Sequence, residues 1–441
     1  MITSIELTGY RLLNNFTADF GNLTVIIGAN ATGKSTLIDA IQFISEGAQF
    51  PISNVFEWHG GSNLIFNAYN RNNQLVWKFT FNKKNLHLFW KDLPIKDVDH
   101  TYEVNLSSDI YGRIEPIYEV LRYSKPLPGY KDCFKLFESF KDSSFVYDVK
   151  VNKLIDFDKA SSQKLDENNY KIDNDTKSNE ISTESSNNTM KKLSNAYSQD
   201  KYLLLAKMRF INDYPNASII RLLLSSFAFY TGFDVSKSSA LRSKPSDIKP
   251  VTQLTSAGDN LGTVLHEILT RHDYKDSSEE IIKFIQIAYP LVESIHPETA
   301  YGNPPRVLLR IREKNMSRAM ELWDLSDGFL RFLCLATAML NPVPPAFIAF
   351  DEPEAGLHPR LLPIVADIIK TAAEKTQVLI TTHSPDLLNF FKLDDIAVMT
   401  RDESTIGWGR PGNRSSLHTM LEAVQGDTIG DLHRSGELES L

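Results

Sequence analysis

Gly28-Ala29-Asn30-Ala31-Thr32-Gly33-Lys34-Ser35 sets two glycines, a lysine and a hydroxyl at the offsets of a phosphate-binding loop. Glycines at the two ends let backbone N–H groups wrap a β-phosphate, the lysine neutralises β- and γ-oxygens, and the serine hydroxyl ligates Mg²⁺. Two later apolar runs also end in polar groups. "AFIAFDEP" (Ala346–Pro353) closes on adjacent carboxylates. Where the backbone turns at the end of such a strand, Asp351 is placed to hold Mg²⁺ through water and Glu352 to face an attacking water. The same pair ahead of Pro353 also suits the start of a helix. "VLITTHSPD" (Val378–Asp386) closes on His383, whose neutral imidazole donates to a phosphate oxygen or positions water; a histidine after a strand also serves purely structural ends. A fourth segment, "LWDLSDGFLRFLCLATAML" (Leu322–Leu340), puts Ser326, Asp327 and Gly328 at the mouth of an apolar helix. Glycine costs about 1 kcal/mol relative to alanine inside a helix. Either the polar residues simply cap the helix, or its N-terminus is a docking surface.

These groups need a strand-and-helix frame. "NLTVIIGANATGKSTLIDAIQFI" runs from a buried strand through the glycine loop into an amphipathic helix. "SIELTGYRLL" alternates as a strand, and residues 63–96 read as β hairpins built from "LIFNAY", "LVWKFTFN" and "LHLFW". Residues 156–200 are rich in Asn, Ser, Asp and Lys, which predicts a disordered or mobile insertion with no core of its own. "KYLLLAKMRF", "NASIIRLLLSSFAFYTGF" and "NLGTVLHEILTRH" carry helical or mixed periodicity, and "EEIIKFIQIAYPLVESIH" predicts a helix. From "RVLLRIRE" onward strand and helix alternate. The expected organisation is an N-terminal ATPase lobe over 1–100, an insertion and helical region over 101–305, and a C-terminal ATPase lobe over 306–441.

Composition narrows the function classes. A chain of 441 residues with 42% hydrophobic content buries a sizeable core. With 47 basic against 55 acidic residues, any nucleic-acid contact must come from a local patch such as "FNKKNLHLFWK" or "SKSSALRSK", and both read more naturally as solvated faces. Cys133 and Cys334 lack metal-ligand spacing, which argues against a zinc site or a disulfide framework. No apolar run approaches the roughly 20 residues of a membrane helix. The start of the chain does not read as a signal peptide, so a soluble, cytoplasmic protein without a membrane partner is expected. No heptad pattern predicts a coiled-coil arm.

The order of phosphate loop, "LSDG", "FIAFDEPEAGLHP" and "LITTHSP" resembles the ATP-binding-cassette type of ATPase, in its SMC and RecF-like branch. Within that branch the likeness is to bacterial standalone ATPases grouped with overcoming-lysogenization-defect proteins and with ATPase subunits of anti-phage systems. "LTSAGDNLGTVLHEI" (Leu254–Ile268) also looks like a segment those ATPases carry. The resemblance implies an α/β fold: a P-loop NTPase head of ABC/SMC type with a β-hairpin lobe and a helical insertion. It implies ATP and Mg²⁺ as cofactors and hydrolysis of ATP to ADP and phosphate. Asn30, Ala31, Thr32, Gly33, Lys34, Ser35 and Thr36 would hold the nucleotide, with Ser326 and Gly328 as the signature. Ser35 and Asp351 would hold the metal, and Glu352 and His383 would be catalytic.

In this class two chains pack head to tail, so the resemblance also implies an isologous homodimer, or a higher oligomer, in which each signature meets the other chain's γ-phosphate. The implied role is a nucleotide-dependent switch that controls a separate effector, a nuclease or toxin, in anti-phage defence. Too little chain follows His383 for an acidic Toprim-type nuclease centre. The alternative is a DNA-repair or chromosome-maintenance clamp without an effector, and nucleic acid is a further candidate partner. Three departures stand out: Asp327 where transporters carry a second glycine, His358 in "GLHP" where many relatives carry aspartate, and no well-placed glutamine among Gln42, Gln49 and Gln74.

Overall fold

The structure is a computed structural model and describes residues 1–66, 74–83, 98–108, 113–141, 143–148, 153–157, 202–209, 214–243, 246–300, 306–403, 405–418 and 428–439. Residues 1–19, 39–225 and 403–406 form one unit, and residues 20–38, 226–402 and 407–441 a second; the chain passes from the second to the first inside helix α1 (Lys34–Gly47).

The first unit is built on alternation. In β4 (Gln74–Phe81), Leu75, Trp77, Phe79 and Phe81 are fully buried while the residues between them are not, which is the period of a strand with one covered face. The sheet around it joins β1 (Ile2–Thr8), β2 (Phe16–Asp19), β5 (His100–Ser108), β6 (Ile114–Tyr123), β7 (Lys135–Phe140), β8 (Ser143–Asp148) and β9 (Lys153–Asp156). Its eight strands run antiparallel in the order β2-β1-β4-β5-β6-β7-β8-β9. The later half of α1 lies on it: Trp77 Nε1 donates to the Ala40 carbonyl at 3.1 Å, and the Phe43 and Trp77 rings stack with centroids 4.9 Å apart.

Leu64 and Ile65, expected in a strand, belong instead to the helical turn α3 (Ser62–Ile65), which follows α2 (Ile52–Trp58). Gly60 and Gly61, at φ 98° and 75°, end α2 in the left-handed region and start a new turn, a local signal that outweighs the apolar "LIF". The rest of "LIFNAY" and all of "LHLFW" lie outside the described residues, as does segment 156–200 apart from Asp156 and Phe157. The unit closes with α4 (Leu204–Lys207) and α5 (Pro215–Ser225).

The second unit is built on uninterrupted apolar runs. β3 (Leu23–Ile27) and β15 (Gln377–Thr381) are buried at every position, and β14 (Phe347–Asp351) at all but its last, as strands covered on both faces must be. With β10 (Ala228–Tyr230), β16 (Ile396–Asp402) and β17 (Thr405–Gly409) they form a sheet in the order β10-β14-β15-β3-β16-β17, parallel from β10 through β16. A small antiparallel sheet, β11 (Ser246–Asp247), β13 (Arg306–Glu313) and β12 (Val292–Ala300), stands beside α6 (Ala240–Ser243), α7 (Leu261–Thr270) and α8 (Lys275–Ala288). The helix expected through His296 stops at Ala288. Tyr289 precedes a proline and is extended at φ −132°, ψ 82°, after which Val292 opens β12.

α9 (Asp327–Met339), α10 (Leu362–Lys375) and the sheet share one core, to which Phe332, Leu333, Ile348, Val365 and Ile380 all belong. Short helices α11 (Pro385–Leu388) and α12 (Ile429–Arg434) complete the unit. Among the described residues no helix is long and apolar enough to cross a membrane.

Candidate active site

The parallel register sets the site. Thr381 of β15 lies level with Asp351 of β14 and with Ile26 of β3, so three strands end together and their following loops meet at the carboxyl edge of the sheet. That edge is where open α/β sheets bind ligands.

After β3 the chain enters the glycine loop. Gly28, Ala31 and Gly33 have φ of 146°, 63° and 97°. A Cβ at Gly28 would stand 2.2 Å from the Met399 carbonyl, so only glycine fits there. The Thr32 hydroxyl donates to the Ala29 carbonyl at 2.9 Å, and Arg401 Nη1 donates to the Ala31 carbonyl at 3.2 Å. Buried Lys34 folds back over the loop, its Nζ donating to the carbonyls of Gly28 at 2.7 Å and Ala29 at 2.9 Å. Burial lowers the Lys34 pKa, opposed by the charges of Asp351, Glu352 and Glu439. Asn30 and Ala31 are exposed at the loop's rim, and Ser35 and Thr36 follow on the first turn of α1.

At the end of β14, Asp351 is held on both oxygens. Ser35 Oγ donates to Oδ2 at 2.8 Å, and the Thr381 hydroxyl donates to Oδ1. Glu352 stands at φ 50°, a strained place for a residue with a side chain. Its N–H is fixed by the Thr381 carbonyl at 3.1 Å and Thr381 Oγ1 at 3.2 Å, and its carbonyl accepts from Ala355 N at 2.9 Å. The pair is therefore a strand-end turn, not a helix start. His383 Nε2 lies 3.9 Å from Glu352 Oε1, with both side chains partly exposed. Next to them Thr382 Oγ1 donates to Glu354 Oε1 at 2.5 Å, and burial raises the Glu354 pKa against the pull of that bond.

The donor set suits Mg²⁺ bound with a nucleotide. One hydroxyl and one carboxylate 2.8 Å apart leave the remaining ligands to phosphate oxygens and water, as a small octahedral cation prefers. Among the described residues no group of three or more His, Cys, Asp or Glu forms an all-protein cage. When bound there, Mg²⁺ would neutralise charge developing on the phosphates. Lys34 would hold β- and γ-oxygens, Glu352 would accept a proton from water, and His383 would orient that water or a phosphate oxygen.

Ser326 and Gly328 do not join this cluster: among the described residues no hydrogen bond links either to the phosphate loop, Asp351, Glu352 or His383. Ser326 is the N-cap of α9, its Oγ accepting from Phe329 N at 3.3 Å. A Cβ on Gly328 would meet only the Gly356 carbonyl at 3.4 Å, ordinary contact. Among the described residues nothing requires a glycine there.

Several functional neighbours escaped the reading of the sequence. Arg242 lies in "SKSSALRSK", whose composition predicts a solvated face, yet it is buried at 6% exposure. Its Nε donates to Val235 O at 2.8 Å, its Nη1 donates to Leu325 O at 2.6 Å and to Leu322 O and Trp323 O at 3.4 Å, and its Nη2 pairs with Asp327. Asp327, one of the departures, is thus an internal partner that shapes the signature turn. His358 accepts from Arg360 N at 3.2 Å and caps the turn Pro359–Leu361. Thr231 and Gly232, at the end of edge strand β10, line a cavity of about 270 Å³ with Arg331, Asp351 and Glu352. Among the described residues no glutamine lines it; Gln42, Gln49 and Gln74 all lie in the first unit.

Residues 152–389 match a family described as "AAA domain, putative AbiEii toxin, Type IV TA system", and residues 1–253 match one described as "AAA ATPase domain", each more than half of the chain. The chain belongs to the AAA ATPase family. Among solved structures this AAA ATPase is similar to the Smc head bound to the C-winged helix domain of ScpA, with TM-score 0.50 and 16% identity over 92% of this chain and 96% of that one. A Smc head with an extended coiled coil derived from Pyrococcus furiosus gives TM-score 0.47 and 14% identity over 96% and 99%. The SMC head domain from Thermotoga maritima gives 0.40 and 13% over 93% and 98%. The likeness to the ScpA-bound Smc head, at TM-score 0.50, gives this AAA ATPase the fold of a P-loop NTPase head of SMC type.

Proposed function

We propose that this AAA ATPase hydrolyses ATP with Mg²⁺ and works as a nucleotide-dependent homodimer that switches a separate effector, a nuclease or toxin, in anti-phage defence in the bacterial cytoplasm. The observation that carries the hydrolytic reading is the Ser35–Asp351 contact at 2.8 Å, with Glu352 and His383 beside it. A metal hydroxyl ligand, a metal carboxylate, a general base and an orienting imidazole then share one strand edge. The dimeric reading rests on Gly328, which no contact among the described residues requires to be small. A helix N-terminus carries about half a positive charge, and a bare glycine beside Ser326 lets a phosphate from a second chain approach it. The effector reading draws on the family description that names a toxin of a type IV toxin–antitoxin system.

Light scattering of Glu352→Gln with ATP and Mg²⁺ tests the switch: the variant should dimerise with nucleotide and return to monomer when it is removed. A variant that stays monomeric at saturating ATP overturns the dimeric reading. Isolation of the native complex tests the rest. A stoichiometric nuclease or toxin is expected, and DNA-repair factors in its place would favour a maintenance clamp.

A further inference from the structure

Among the described residues, no hydrogen bond holds the His383 ring, which lies 3.9 Å from the Glu352 carboxylate. The ring must inherit its position from the backbone beside it, where Thr382 N donates to the Ile26 carbonyl at 3.1 Å. Thr382 is fully buried, and its hydroxyl accepts from Ser384 N at 2.9 Å while donating to Glu354 Oε1 at 2.5 Å. Ser384 Oγ in turn accepts from Leu387 N at 3.2 Å at the start of α11. The turn that carries His383 is therefore tied to the Asp351–Glu354 turn through one hydroxyl and one carboxylate.

Among the described residues the other Glu354 oxygen, Oε2, is buried and meets no side-chain donor. Thr381 makes the parallel tie one residue earlier, to Asp351, so two adjacent threonines fasten the two loops at two points.

We infer that Glu354, acting through the Thr382 hydroxyl, is a positioning residue that sets His383 beside Glu352. This rests on the hydrolytic reading above. Glu354 touches neither nucleotide nor water in this account. It fixes the Thr382–Ser384 turn, and loss of the tie lets the imidazole drift by a fraction of an ångström or more from the place where it orients the reacting groups.

The test is a double-mutant cycle on ATP turnover, with nucleotide affinity measured by calorimetry. Glu354→Ala should lower kcat by about tenfold to a hundredfold, the effect of a small misplacement at a reacting centre, and leave ATP affinity unchanged. Thr382→Val should reproduce it by cutting the same bond from the other side, and supplies the readout if Glu354→Ala does not fold. Glu354→Gln should recover most of the rate, because its amide oxygen still accepts from Thr382. In a His383→Ala background, Glu354→Ala should cost nothing further. Full multiplicative loss in that background, or wild-type turnover by Glu354→Ala or Thr382→Val, overturns the inference and leaves the ATPase reading intact. Wild-type turnover by His383→Ala overturns it as well. A wild-type chain that binds but never hydrolyses ATP would instead overturn the hydrolytic reading itself.

Discussion

Ser35 donates its hydroxyl to Asp351 Oδ2 at 2.8 Å, although the two stand 316 positions apart in the chain. The contact joins the first turn of α1, which follows β3, to the end of β14, and β15 lies between β3 and β14, ending at Thr381 two residues before His383. Everything assigned to hydrolysis depends on that convergence.

Lys34 holds the loop carbonyls of Gly28 and Ala29 in the structure and would hold phosphate oxygens with nucleotide present. Lys34→Ala should abolish ATP binding measured by calorimetry. Unchanged affinity would refute the phosphate-loop assignment.

Glu352→Gln keeps the size and the strained turn but cannot take a proton. ATP affinity should persist while turnover falls by about a hundredfold or more, the usual contribution of a positioned base. Hydrolysis at the wild-type rate would remove Glu352 from the mechanism.

Arg242 gives the signature turn its shape. Arg242→Ala leaves the carbonyls of Leu322, Trp323 and Leu325 without this donor and should destabilise the protein by about 2–4 kcal/mol in denaturant unfolding. Arg242→Lys should recover only part, since an ammonium cannot fork to several acceptors. A midpoint unchanged in Arg242→Ala would show the network to be dispensable.

His59 predicts a pH dependence in the first unit. Burial pulls its pKa down, but hydrogen bonds to Asp39 at 2.7 Å and Glu46 at 3.0 Å, with their charges, win and hold it at about 9. Arg11 and Tyr10 also face Asp39, whose pKa lies below its ordinary value: burial raises it, but the bonds to His59 and Tyr10 and the charges of His59 and Arg11 prevail. Because the folded His59 value exceeds the unfolded one of about 6.5, its contribution is complete below that pH and fades as pH rises through 9. Unfolding at pH 6 and pH 9.5 should show wild type losing on the order of 1–2 kcal/mol more than His59→Gln, after allowance for screening. Equal losses would exclude His59 as the source.

The parts of the site legible in the sequence were those with a rigid local grammar. Gly28 to Ser35 declare themselves because the loop tolerates few residue types, and Asp351, Glu352 and His383 because each ends an uninterrupted apolar run. Arg242 was illegible, since nothing in "SKSSALRSK" shows that its guanidinium turns inward onto carbonyls some 80 residues later in the chain. Glu354 and Thr382 stand in segments the sequence singled out, yet their bond depends on the β14–β15 register, which only the sheet supplies. In the fold, Gly60 and Gly61 overrode an apolar run, and Pro290 cut a helix that periodicity alone carried on to His296.

The central claim, that Ser326 and Gly328 serve a nucleotide held by the other chain, is tested most directly by mixing two inactive variants. Lys34→Ala lacks a phosphate loop, and Ser326→Arg fills the signature while costing its helix an N-cap worth about 1 kcal/mol. Each should be inactive alone. In a mixed dimer the intact loop of one chain faces the intact signature of the other, so one of the two sites is whole. With random exchange about a quarter of all sites should recover ATP turnover, alongside ATP-dependent association of the mixed pair. Two folded, exchanging variants that neither associate with ATP nor regain turnover would contradict the claim and leave Ser326 and Gly328 as the cap of α9 alone.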